Sequence, residues 1–259
     1  FSSPEKFEPF ILISLLLSLA LIPILLTKRK APKFKKLGYI DIKGLYKTSP
    51  LATVSMFCTG IIHSALFSLG AVYAASMNFT IFEISLLIFL ITISGGIFQW
   101  PIGYYSDKSD RRIIIIFCTF FAALFCSLAI FASGTSLENM YLATSIGIDK
   151  IMFFIYVTLY AGMAIPLFTL NLAYVNDYIA KEKFVAAGAG MQVIFGLGAM
   201  IGPLLCSLLM NKFGTNGFFI HLLFFHYYQG LINKNLFFQL NIFYLEKLSY
   251  NYLLIRLLH

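Results

Sequence analysis

Long apolar runs separated by short charged breaks set the plan of this chain. Apolar stretches fill residues 10–26, 51–77, 81–105, 112–133, 150–175 and 184–210, and a seventh begins at Gly217. Such runs suit a hydrocarbon core about 30 Å thick. The ~10-residue alternation of a transmembrane β-barrel does not appear. The pattern predicts an all-α membrane protein, a polytopic bundle of about seven transmembrane helices. Asn78-Phe79-Thr80 reads as a tight turn, and Thr80-Ile-Phe-Glu83 as a capping box opening the third span. Glu83 thereby has a structural task, the satisfaction of helix-start N–H groups. Pro23 predicts a kink in the first span. The fifth span reads as one helix containing Gly162 and Pro166.

Composition agrees with this plan. Hydrophobic residues make up 59% of the chain and mean hydropathy is +0.85, above the roughly 45–50% apolar content of soluble domains. The net charge of +8 is concentrated in one place. Lys28, Arg29, Lys30, Lys33, Lys35, Lys36, Lys43 and Lys47 face only Asp41. A basic loop beside membrane spans follows the positive-inside bias, so it is expected in the cytoplasm rather than on nucleic acid. Alternation then puts the loops at 106–112 and 176–183 on the same side, and those at 77–80, 134–149 and 211–216 outside. Cys58, Cys118, Cys126 and Cys206 lie inside apolar runs with no metal-ligand spacing. No cofactor or metal is expected.

The organisation expected is a helix over 1–27, a basic linker over 28–50, a six-helix bundle over 51–232 and an atypical tail over 233–259. From Phe218 to His259 the chain has no Ala, Val, Met, Pro or Thr. Two readings stand for this end: a last helix with an interfacial segment, or an out-of-frame gene end beyond about residue 220, which is favoured. No function is placed there. A start at Phe1 without a basic leader reads as a fragment of a larger protein.

Five charges fall within Asp107-Lys108-Ser-Asp110-Arg111-Arg112, between two apolar runs. With Gly103, the residues Asp107, Lys108, Arg111 and Arg112 resemble the loop signature of the major facilitator superfamily (MFS), the twelve-helix secondary transporters. The family has a second Gly where this chain has Asp110, and Asp tolerates the positive φ expected of that turn. The resemblance covers about residues 10–217. It implies the last helix of an N-terminal half, a cytoplasmic linker and a C-terminal half. It also implies a conformational latch, in which Asp107 faces a helix N-terminus of the opposite half and Arg111 and Arg112 pair with acids or lipid headgroups. Asn176-Asp177, Lys181-Glu182-Lys183-Phe184 and the following Gly-rich helix resemble a bacterial permease subgroup of unassigned substrate. The implied setting is the bacterial inner membrane. The implied partners are the bilayer, a small solute and the missing N-terminal half, with no nucleic acid.

Gly198-x-x-x-Gly202 allows two helices to approach closely, and Pro203 follows it, so packing and hinge roles are both open. His63 is the one titratable group deep in a span, either a proton site or a packing residue. Gln99, Trp100, Tyr156, Tyr160, Asn171 and Gln192 are polar or amphipathic candidates for lining a cavity, with helix-to-helix hydrogen bonding as the alternative. His221 and His226 are five apart and miss the same-face spacing of a membrane-embedded enzyme acting on lipid. That enzyme, which would need clustered His, Asp or Cys, is one competing reading. A non-transporting gene remnant is the other. A secondary transporter working by alternating access is the leading one.

Overall fold

The computed structural model describes residues 7–26, 42–133 and 148–233. The basic stretch 28–41, the segment 134–147 and the tail 234–259 lie outside these residues, as do the readings placed on them. The chain divides into two units, Phe1–Leu37 and Gly38–His259.

The first unit carries α1, Glu8–Leu25. Its described Leu and Ile side chains are exposed, and Ser14 and Ser18 return their hydroxyls to the carbonyls of Phe10 and Ser14. Hydroxyls bonded within their own helix leave an outer surface that is apolar all round, as a lipid or helix environment requires.

The second unit begins with a short helix, α2 (Ile42–Thr48), inside the stretch read as linker. Then come α3 (Pro50–Ser76), α4 (Ile81–Lys108), α5 (Arg111–Ala132), α6 (Ile148–Ala164), α7 (Leu167–Asn176) and α8 (Phe184–Phe213). A single 3₁₀ turn, Lys181–Lys183, precedes α8. Residues 216–233 form α9. Every element among the described residues is helical. Among the described residues, five segments are long and apolar enough to cross a membrane: Pro50–Ser76, Ile81–Lys108, Arg111–Ala132, Lys150–Asn176 and Lys181–Phe213.

The turn between α3 and α4 follows its local chemistry. Asn78 takes the left-handed conformation at φ 56°, which Asn tolerates. Thr80 Oγ1 accepts from the Glu83 N–H at 3.3 Å, and Glu83 Oε2 accepts from the Thr80 N–H at 2.8 Å, completing the capping box. The same carboxylate pairs with Lys150 at the start of α6, and the Lys150 ammonium also sits over the Phe79 ring. Glu83 thus ties α4 to α6.

One feature differs from the sequence reading, and another bears on a point left open. The fifth span is not one helix: α6 stops at Ala164, and α7 restarts at Leu167 after Ile165 and Pro166. Proline removes an N–H and displaces the chain from the carbonyl one turn earlier. The open point is α9. This helix is one of the two readings kept open for the end of the chain, and Phe218, Phe219 and Leu222 are buried in it. Phe218 stacks on Tyr73 of α3, and Phe219 meets Tyr73 and Phe153 edge to face.

The tightest packing joins α3 to α8. A Cβ on Gly198 would overlap the Phe57 carbonyl, one on Gly202 the Ile61 carbonyl, and one on Gly60 the Phe195 carbonyl. Backbone touches backbone from both sides, as small residues permit in membranes. Helix α8 continues unbroken through Pro203. Two apolar clusters fill the unit. One, around Tyr73, Phe153 and Leu222, lies toward the Glu83 end; the other, around Met56, Ile115 and Leu167, lies toward the Asp107 end.

Candidate functional site

Charged residues gather at the α4–α5 corner. Asp110 caps α5: its Oδ1 accepts from the Arg112 N–H at 2.9 Å, with Asp110 at φ −64°. The expectation of a positive φ at this position is therefore corrected. A carboxylate at a helix start meets free N–H groups and the positive end of the helix dipole, so the corner turns in extended backbone. Arg112 then grips the same carboxylate with Nε at 3.0 Å and Nη2 at 2.6 Å. Those guanidinium bonds hold the Asp110 carboxyl below its ordinary range. A depressed carboxyl pKa adds stability above the unfolded value of about 3.9, and that stability is lost as pH falls. Asp110→Ala removes both the cap and the pair. We expect a loss of about 1 kcal/mol, read as a fall in unfolding temperature in detergent at pH 7, with the difference shrinking on acidification.

Arg111 points the other way. Its Nη2 meets Asp107 Oδ1 at 2.8 Å, its Nε meets Asp177 Oδ2 at 2.7 Å, and its Nη1 donates to Ser106 Oγ at 3.1 Å. One guanidinium thus joins the end of α4 to the end of α7. Lys108 pairs with the Tyr104 hydroxyl and lies over that ring at 3.9 Å. Asp107 itself is 68% exposed, with Arg111 its ion-pair partner. Gly103 has open space around the position of a Cβ. A cavity of about 210 Å³ between α4 and the α6–α7 break is lined by Gln99, Gly103, Asp107, Arg111 and Pro166. Asp177 and Ser106 are partners that spacing alone does not reveal, since Asp177 lies 66 residues from Arg111.

The other polar candidates divide by exposure. Gln99, Trp100 and Gln192 are exposed, and Tyr156 is half-buried against the apolar core. His63, Tyr160 and Asn171 are buried, and the structure brings them into one seam between α3, α6–α7 and α9. His63 Nε2 lies 3.0 Å from the Ala164 carbonyl, where α6 breaks off. A ring N–H facing a carbonyl must donate, which fixes the tautomer of His63. His226 Nε2 lies 3.2 Å from the Tyr160 hydroxyl. Asn171 donates to Thr59 Oγ1 at 3.3 Å. Gln229 donates to the same oxygen at 3.3 Å and to Ser55 Oγ at 2.6 Å.

Two of these contributors, His226 and Gln229, lie in α9, and Asn233 of the same helix is buried as well. His226, Gln229 and Asn233 follow i, i+3, i+7 spacing and share one helical face. That spacing was the available signal, and the His221–His226 interval obscured it. Among the described residues no group of three His, Cys, Asp or Glu side chains is placed to hold a metal ion.

Comparison with known proteins bears on the corner and the spans together. Residues 8–170 match the model of the Major Facilitator Superfamily. The chain is similar to the uncharacterized MFS-type transporter YfkF of Bacillus subtilis, at 26% identity over 65% of this chain and 39% of the relative. An uncharacterized MFS-type transporter of Yersinia enterocolitica shares 25% identity over 62% of this chain and 38% of its own length. YcaD of Escherichia fergusonii, also described as an uncharacterized MFS-type transporter, shares 18% over 80% and 50%. The chain thus spans half or less of the length of these curated relatives. No solved structure matches it. With the family match covering more than half of its residues and five membrane-length apolar segments among the described residues, the chain belongs to the Major Facilitator Superfamily.

Proposed function

We propose that this chain is the C-terminal bundle, with the last helix of the N-terminal bundle, of a secondary transporter that moves a small solute by alternating access. The observation that carries the reading is the charged corner. Asp107 is an exposed carboxylate whose position is set by Arg111, and Arg111 is anchored across the bundle on Asp177. A carboxylate presented this way suits the N-terminus of a helix in a second bundle, where the helix dipole favours it. Releasing that contact would let the two bundles rock. Bacterial relatives described as transporters support the bacterial inner membrane as the setting. The basic composition of 28–50 supports a cytoplasmic linker.

The test uses the complete two-bundle transporter in proteoliposomes. Asp107→Asn is expected to slow uptake severalfold and leave solute binding unchanged, since the latch acts on the motion and not on the solute. Binding that falls in parallel with uptake would move Asp107 from the latch to the solute site. No uptake of any screened solute by the unaltered protein would remove the transporter reading itself.

A further inference from the structure

We propose that the seam between α3, α6–α7 and α9 is an internal binding site for ordered water. On α9 the seam extends from His226 to Asn233, about 10 Å at 1.5 Å per residue. Its polar side chains are sealed from the surface: Asn171, Gln229 and Asn233 are each 0% exposed and His226 is 1% exposed. Yet their hydrogen bonding is incomplete. Among the described residues, Asn171 Oδ1, Gln229 Oε1, both amide atoms of Asn233 and His226 Nδ1 have no hydrogen-bond partner. Exchanging O and N in an amide would only turn an orphaned acceptor into an orphaned donor. Buried polar groups left this way are costly, and more so within a membrane, where hydrocarbon supplies no partner.

The chemistry of the orphans selects the guest. Asn171 Oδ1 and Gln229 Oε1 need donors, whereas Asn233 Nδ2 needs an acceptor. A metal ion would satisfy the oxygens and repel the N–H group. It would also enter a site where, among the described residues, no acid is buried. A guest that both donates and accepts, and carries no charge, meets every requirement. Water does so, and buried water typically makes about three hydrogen bonds to groups otherwise unsatisfied.

The position gives the site a task. The α6–α7 break frees carbonyls that a continuous helix would bond, and His63 takes only the one at Ala164. Water beside Asn171 and Gln229 would link α7 to α3 and α9 through bonds that exchange partners readily. The broken span could then shift against α3 without stranding a polar group.

The experiment is radiolytic hydroxyl footprinting of the full chain in lipid nanodiscs, read by mass spectrometry. Bound water generates radicals in place, so residues beside it are labelled even where bulk solvent does not reach. Tyr73 is the dry reference, buried at 1%, stacked on Phe153 and Phe218 and edge to face with Phe219. Tyr160 and His226 are expected to label at least severalfold faster than Tyr73. Equal labelling of the three overturns the proposal. Gln229→Leu is expected to slow labelling of Tyr160 and His226 toward the Tyr73 rate. Unchanged fast labelling in a folded variant would remove Gln229 from the site and overturn the assignment. A variant that fails to fold reveals itself by faster labelling of Tyr73, and the unaltered chain's ratio then decides alone.

Discussion

Gly198→Leu and Gly202→Leu are expected to abolish the folded bundle, while Gly196→Leu on the same helix leaves it intact. The three positions lie within seven residues of α8, yet their surroundings differ completely. A Cβ at Gly198 or Gly202 would enter the space of the Phe57 or Ile61 carbonyl, and these are backbone atoms that no rotamer change can move aside. At Gly196 nothing stands within 4 Å of the same atom. Even alanine at Gly198 must push α3 and α8 apart, an overpacking cost of about 1–3 kcal/mol. The larger side chain must also break the reciprocal contact at Gly60, because Gly60 meets Phe195 across the same interface. The measurement is the fraction of folded, monodisperse protein in detergent together with its unfolding temperature. Equal behaviour of the Gly196 and Gly198 variants would show that α3 and α8 do not meet in the way described.

Much of this architecture is legible from apolar run length, because a span must bury its backbone whatever its neighbours are. The boundary at α4 is legible for a local reason: Thr80 with Glu83 defines the helix start through bonds to nearby N–H groups. Legibility ends where the partner is distant. Pro166 reads as a tolerated interruption, and it becomes a full break in a fold where His63 of α3 takes the freed Ala164 carbonyl. Asp110 reads as a substitute for glycine in a tight turn. The structure uses it as a cap, because its carboxylate can reach an N–H that a glycine could not satisfy. The polar face of α9 is hidden by its composition. Asn, Gln and His in an Asn- and Phe-rich stretch look like noise until Ser55, Thr59 and Tyr160 are found opposite them.

Arg111→Gln in the complete two-bundle transporter is expected to lower uptake about tenfold, equivalent to ~1.4 kcal/mol on the rate-limiting barrier. The expectation rests on the transport reading and on the geometry of one side chain. Arg111 is the residue that touches Asp107, Ser106 and Asp177 together, so it links α4, the α4–α5 corner and α7. Its loss frees Asp107 to wander and unties the end of the broken span at once. Stability should change much less. Asp107 is 68% and Asp177 46% exposed, and ion pairs so open to solvent contribute about 0–1 kcal/mol after screening. Arg111→Lys should not restore uptake. An ammonium is a point charge, whereas the observed contacts use three nitrogens of a planar fork directed at three different oxygens. Asp177→Asn should reproduce part of the defect, and the double variant should fall short of the two effects combined, because both act through one contact. The check is initial uptake rate beside unfolding temperature for all four proteins. A lysine variant with full uptake would reduce the corner to a general positive charge. Additive effects of Arg111→Gln and Asp177→Asn would separate the two residues and dissolve the joint.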